Sequence, residues 1–114
     1  MQQYNPSNLV TGEFPVITQT IKVAAGQVLP RGAVLGQNST SNLYVLSQAG
    51  VKDGSEKPSV VLAEDVDASQ GEVKTVGYLS GQFNTNALTL GAGHTPEKIM
   101  YQLRQLNIYL TNVI

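Results

Sequence analysis

The amino-acid sequence predicts a mainly β domain with one short α-helix near its C-terminus and a flexible arm at its N-terminus. Short runs of β-branched residues alternate with turn signals along most of the 114 residues, which is typical of an all-β sandwich or barrel. One segment, after residue 94, instead spaces its apolar residues for a helix. The first twelve residues lack any periodicity. We therefore divide the chain into an arm, residues 1–15, and one β-rich domain, residues 16–114.

The predicted strands lie between turns rich in Gly, Pro and Asn. In chain order they cover residues 14–23, 43–47, 59–66, 72–84, 87–90 and 108–114, and two short apolar pieces lie between turns at 28–29 and 34–35. Pro15 stands near the start of the first strand, where a missing N–H does least harm. Pro30 and Gly32 suit the second and fourth positions of a type I turn. Gly77 and Gly81 interrupt the longest strand and predict bends or close backbone approaches.

The segment from His94 to Asn107 carries the signals of a short helix. Thr95 is a suitable N-cap, and Pro96 fits the first helical position. Apolar residues follow at helical spacing and predict one core-facing stripe: Ile99, Leu103 and Leu106. Asn107 is a suitable residue to end the helix, because it tolerates the left-handed conformation.

The composition excludes several classes of partner. Charged residues make up only 13% of the chain and the net charge is −1, so there is no basic field to attract nucleic acid. No run of about 18 apolar residues is present, so no membrane span is predicted. Cysteine is absent, which rules out disulfides and thiolate metal sites. A surface of short polar groups with little charge favours a protein that packs against other subunits.

Residues 63–69, with the sequence AEDVDAS, contain the most concentrated group of acids. Glu64, Asp65 and Asp67 offer oxygen ligands for Mg²⁺ or Ca²⁺, but such sites usually draw ligands from several segments. The sequence also departs from an EF-hand loop in its ligand positions. A turn in which Asp67 and Ser69 bond to their own backbone is the simpler interpretation. An ion between Asp65 and Asp67 stays open as the alternative.

No group of residues predicts catalysis. His94 is the single histidine, and we expect it to be solvated in its loop. No serine lies in a G-x-S-x-G elbow, and the sequence GAGHTP lacks the spacing of a phosphate-binding loop. We therefore predict a protein that is not an enzyme and that carries no catalytic residues, no metal and no cofactor.

The sequence FPVITQTI, residues 14–21, joins the loose arm to the first predicted strand. Two interpretations are open from the residues alone. One is a frayed terminus, and the other is an arm that orders by adding a strand to the edge of a partner's sheet.

Several stretches, taken in order, resemble the lambda-type bacteriophage head decoration proteins (the head protein D family). They are AAGQVLPRGAVLGQ, VVLAEDVDAS, GQFNTNAL and the final NIYL, and the resemblance covers about Val16 to Ile114. Its most specific part is LAEDVDAS followed by GQFN. Many members have Gly at the position of Asn107.

The resemblance implies a compact subunit of the β-clip type that forms homotrimers. Such trimers sit on the outside of the expanded capsid at local three-fold positions and stabilise it against the pressure of packaged DNA. The implied partners are the major capsid protein and other copies of the chain, and the implied location is the outer surface of the virion, after synthesis in the host cytoplasm.

The resemblance also suggests two sets of site residues. The first is a capsid-binding arm that extends a sheet of the capsid protein: Leu9, Val10, Phe14, Pro15, Val16 and Ile17. The second is a family-signature turn with a structural role: Glu64, Asp65, Asp67, Gly81, Phe83 and Asn84.

Other functions remain possible at this point. VAAGQVLPRGAVL also resembles the A-x-G-x-x-L run of SAF domains, which would imply a β-clip domain that binds a small ligand. A different structural subunit of the virion is a further alternative. A dUTPase-like enzyme would need Asp, Tyr and Arg motifs that we do not find.

Overall fold

The computed structural model describes residues 16–111, which form eight strands, one short α-helix and one 3₁₀-helix. The strands are β1 (Ile17–Val23), β2 (Val28–Leu29), β3 (Val34–Gln37), β4 (Tyr44–Leu46), β5 (Val60–Leu62), β6 (Val66–Asp67), β7 (Val73–Asn84) and β8 (Ile108–Thr111). The α-helix is α1 (Pro96–Arg104), and a 3₁₀-helix covers Thr85–Ala87. The predicted fold class, mainly β with one C-terminal helix, is confirmed.

The main sheet closes into a barrel because β1 pairs on both of its sides. It runs antiparallel along β7 and also meets β4 in parallel, where Val23 pairs with Tyr44. The ring of strands is therefore β1, β4, β3, β5 and β7. β8 lies parallel to the last residues of β7, Gly81–Asn84, and β2 and β6 form a separate two-stranded ribbon.

The strands β3 and β5 form a wall that is buried on both faces. Side chains alternate across a strand, so Val34 and Val61 face one way while Leu35 and Leu62 face the other. One face belongs to the barrel interior, whose buried residues are Ile21, Val23, Leu29, Ala33, Leu35, Val60, Leu62, Val66 and Ala68. The opposite face is covered by the helix and β8, through Val34, Val61, Phe83, Ile99, Leu103 and Ile108. The ribbon and the helix therefore lie on opposite faces of this wall.

The start of the helix is as the sequence predicts. Thr95 is the N-cap, and its hydroxyl accepts a hydrogen bond from the Lys98 N–H at 3.3 Å. Pro96 occupies the first turn, where no N–H is needed. Ile99 and Leu103 are fully buried in the second cluster.

The prediction for Leu106 is wrong. The helix ends at Arg104, so Leu106 lies in the turn that follows and stays 42% exposed. Asn107 then takes a positive φ of 65°, which redirects the chain into β8. No helix within residues 16–111 is long and apolar enough to cross a membrane.

Three further details differ from the predictions. The predicted strand 59–66 divides into β5 and β6, because the chain leaves the wall after Leu62 to pair with β2 in the ribbon. Residues 87–90 do not form a strand, and a single bridge joins Thr89 to Ala33. In the turn at Pro30 the Ala33 N–H donates to the Pro30 carbonyl at 3.1 Å. Pro30 is therefore the first residue of the turn and Gly32, with a φ of 96°, is the third, instead of the second and fourth.

A tight crossing of two loops holds the segment before the helix against the end of β4. The Ala49 N–H donates to the Ala92 carbonyl at 2.9 Å. The His94 Nε2 lies 3.0 Å from the Oγ of Ser47, so this histidine is half-buried and contacts a fully buried serine, contrary to expectation. A Cβ added to Gly91 would lie only 2.0 Å from the carbonyl oxygen of Ser47.

We expect Gly91→Ala to lower the free energy of unfolding by about 3 kcal/mol, because the obstructing atom is backbone and cannot rotate away. Gly50→Ala is the matched control, since no atom lies within 4 Å of a Cβ at that position. Urea denaturation at one fixed protein concentration measures both variants. Equal urea midpoints for Gly91→Ala and Gly50→Ala would contradict the close approach of the two loops at Gly91.

Candidate functional site

The predicted turn at Asp67 is present and is built from local hydrogen bonds. The Asp67 Oδ1 accepts from the Ser69 N–H at 3.0 Å and from the Ser69 hydroxyl at 2.6 Å. The Gly71 N–H donates to the Ala68 carbonyl at 3.2 Å and completes the turn. Asp67 therefore stabilises the backbone between β6 and β7.

The other two acids bond to distant parts of the chain. The Glu64 Oε1 accepts from the Thr75 hydroxyl at 2.7 Å, at the start of β7. The Asp65 Oδ1 accepts from the Arg31 N–H at 2.7 Å, in the turn that precedes β3. Because each carboxylate has a separate partner, the acidic segment fastens three parts of the domain to one another. Within residues 16–111 no three acidic or histidine side chains are grouped as a metal site would need.

The hydrogen bonds at Asp67 also favour its charged form. The Ser69 hydroxyl and then the Ser69 N–H, both donating to the carboxylate, lower the pKa of Asp67 below its ordinary value. Asp53 behaves alike in another loop, where the Ser55 hydroxyl and N–H lower the pKa of the carboxyl.

The remaining signature residues lie at the end of β7, on the helix side of the wall. Phe83 is fully buried in the second cluster, with its ring centroid 5.3 Å from that of Tyr78. Gly81 has φ +145°, and a Cβ there would approach the Phe83 ring to 3.0 Å. The Asn84 Oδ1 accepts from the Asn86 N–H at 3.0 Å and caps the 3₁₀-helix. This group is separate from the acids, which lie beside the ribbon.

Two residues of the predicted arm fall in the described part of the chain. Val16 and Ile17 are 41% and 56% exposed and lie at the start of β1. Val16 lies beside Gly81, because a Cβ added to Gly81 would come within 3.4 Å of the Val16 Cγ2. The other four, Leu9, Val10, Phe14 and Pro15, lie outside the described residues.

A comparison with protein families matches residues 1–109 to the bacteriophage lambda head decoration protein D family. The chain belongs to this family. It is therefore a structural protein of the bacteriophage head and associates with the capsid of the virion. A comparison with curated proteins found no match.

Within the described residues, the contact of Ser47 with His94 is the arrangement that most nearly resembles catalytic machinery. A serine within hydrogen-bond distance of a histidine is the pair that nucleophilic catalysis uses. Here the Ser47 side chain is fully buried, so no substrate reaches its Oγ in this structure. The pair joins the two crossing loops, which is a structural role.

Among residues 16–111, three large apolar side chains away from the arm are also exposed. They are Val28 at 65%, Tyr101 at 62% and Leu106 at 42%. The sequence analysis did not identify these three as surface residues. For Val28 a signal was present, because Val28 and Leu29 are neighbours in a strand and must face opposite ways. Leu29 faces the barrel interior, so Val28 faces outward.

The pH dependence of stability tests the turn at Asp67. Because its pKa is lowered in the folded state, its contribution is fully present above the unfolded pKa of about 4 and is lost as pH falls through the folded pKa. Asp67→Asn keeps an acceptor oxygen but does not titrate. We expect the free energy of unfolding to fall less between about pH 6 and about pH 3 in this variant than in the wild type.

Urea denaturation at the two pH values measures this difference, at one protein concentration for both proteins. An equal fall in the wild type and in Asp67→Asn would show that the Ser69 bonds do not favour the charged carboxylate.

Proposed function

We propose that the protein is a cementing subunit that binds the outside of the expanded phage head as a homotrimer of β-clip domains, at local three-fold positions. There it stabilises the shell against the pressure of packaged DNA. The observation that carries the proposal is the family match over residues 1–109, which includes nearly the whole described domain. The same membership favours this function over a small-ligand-binding domain or another virion subunit.

The proposed action is binding and needs no chemical step. A clamp across neighbouring capsid subunits works by contact area and by the geometry of its attachment points. The polar groups of the domain have structural contacts that fit this role. The acids accept hydrogen bonds that stabilise turns, and the Ser47–His94 pair joins two loops. The low charge of the chain suits such a clamp, since few charged groups lose their hydration when the surfaces meet.

We assign the attachment to residues 1–15, with residues 16–114 as the folded body of the subunit. Val16 and Ile17 support this assignment because they are exposed at the junction, at the start of β1. A segment that leads directly into a strand is suited to adding a strand to the sheet of a capsid protein, where main-chain hydrogen bonds supply affinity. Three such arms in one trimer would bind with a high effective concentration, so each contact can be weak.

The oligomeric state and the partner give the first test of this function. Light scattering should give the mass of three chains, and the protein should sediment with expanded empty heads but not with unexpanded ones. A monomer that leaves expanded heads unbound would overturn the proposal.

Deletion of residues 1–15 tests the arm separately. We expect light scattering to give the mass of three shortened chains, because residues 21–108 contribute both of the core clusters described above. Its affinity for expanded heads should fall at least a hundredfold, since three linked contacts are lost at once. Unchanged affinity would remove the arm from the mechanism.

A further inference from the structure

The ribbon exposes an apolar side chain flanked by acids. Val28 is the most exposed large apolar side chain of residues 16–111, at 65%, and it pairs across the ribbon with Asp67. Pro30 and Asp65 lie beside it on the same surface. We call Val28, Pro30, Asp65 and Asp67 the ribbon surface. Each of the two carboxylates uses Oδ1 for a bond to a backbone N–H, and no ion pair to Lys or Arg is present within the described residues.

A groove of about 470 Å³ lies beside the last turn of the helix. Its described lining consists of Lys57, Pro58, Ser59, Gln102, Gln105 and Leu106, which we call the helix groove. These residues include one cation and no acid. The neighbouring Glu56 is directed elsewhere, because its Oε1 accepts from the Gly54 N–H at 2.8 Å.

The helix groove also contains a buried hydroxyl group without a hydrogen-bond partner among the described groups, the Oγ of Ser59. Buried polar groups are normally paired, so the unpaired Ser59 hydroxyl marks the packing on this side of the groove as incomplete. Leu106, 42% exposed in the same groove, indicates the same.

The two surfaces lie on opposite faces of the β3–β5 wall. The ribbon packs through Leu29 and Val66 on the barrel-interior side, and the helix packs through Ile99 and Leu103 on the other. A three-fold ring is built from a heterologous contact, in which one patch of each subunit meets a different patch of the next. Two distinct, complementary patches on one chain meet this requirement.

We propose that the occupant of the helix groove is the ribbon surface of a second copy of this chain, and that this contact joins the subunits of the ring. The inference rests on the proposed homotrimer and names its interface. Val28 of one subunit enters the groove beside Leu106 of the next. Asp65 and Asp67 then face Lys57, so the charges on the two sides are opposite.

The helix adds a second cation near the groove. Arg104 lies in the last turn of the helix, next to Gln105 of the groove, with its guanidinium 5.2 Å from the centre of the Tyr101 ring. A cation held over an aromatic ring has less freedom to lose on binding. The helix groove therefore presents the cation Lys57 beside the apolar Leu106, and the ribbon surface presents the acids Asp65 and Asp67 beside Val28.

A charge-exchange experiment on the full chain tests this contact. Val28→Lys removes the exposed apolar side chain and places a cation opposite Lys57. The concentration at which the trimer dissociates should therefore rise at least tenfold. Lys57→Glu places an acid opposite Asp65 and Asp67 and should also weaken the trimer. In the double variant Val28→Lys/Lys57→Glu an opposite-charge pair replaces the like-charge pair of Val28→Lys, so the double variant should associate more tightly than Val28→Lys alone.

The matched control is Val28→Lys/Lys52→Glu, because Lys52 is an exposed lysine of the same loop that does not line the groove. This variant has the same net charge as the rescue variant but should not regain the trimer. Sedimentation velocity over a concentration series measures association, and far-ultraviolet circular dichroism checks that each variant is folded. If Val28→Lys does not fold, Lys57→Glu alone tests the groove.

The outcomes separate this interface from the proposed function. A trimeric wild type whose association is unchanged by Val28→Lys or Lys57→Glu overturns the interface and leaves the decoration role intact. Equal association of the rescue and control variants also overturns it. A wild type that is monomeric at every concentration overturns the proposed homotrimer itself, and the interface with it.

Discussion

The burial of the β3–β5 wall on both faces is the constraint on which the rest of the structure depends. A wall with Val34 and Val61 on one side and Leu35 and Leu62 on the other exposes apolar surface unless both sides are covered. The barrel closes over one side through β1, and the helix with β8 covers the other. The domain is therefore layered around two short strands rather than around a single sheet face.

This layering leaves the exposed surfaces of the domain available for function. The polar side chains nearest to catalytic or metal-binding chemistry are already used, since Ser47 contacts His94 and the acids accept hydrogen bonds from backbone or hydroxyl groups. Among residues 16–111 the surface also exposes large apolar side chains, which are Val16, Ile17, Val28, Tyr101 and Leu106. Such a surface suits a capsid-associated structural protein that acts through contacts between subunits.

The acidic segment shows how far the candidate site could be predicted. The bond of Asp67 to Ser69 spans two residues, so its residue types and spacing were enough to predict it. Asp65 bonds to Arg31 across 34 positions and Glu64 to Thr75 across 11, and no local pattern identifies such partners. The exposure of Val28 and the groove at Leu106 were missed for the same reason, because exposure depends on what packs nearby.

The sequence by itself determined the mainly β class, the positions of most strands, the cap of the helix and the turn at Asp67. These depend on side-chain period, β-branching and hydrogen bonds between near neighbours, which are local properties. Only the tertiary structure decided the closure of the barrel by β1, the division of residues 59–66 between wall and ribbon, and the exposed position of Leu106. Each of these depends on contacts between residues far apart in the chain, where the burial of apolar surface overrides local preference.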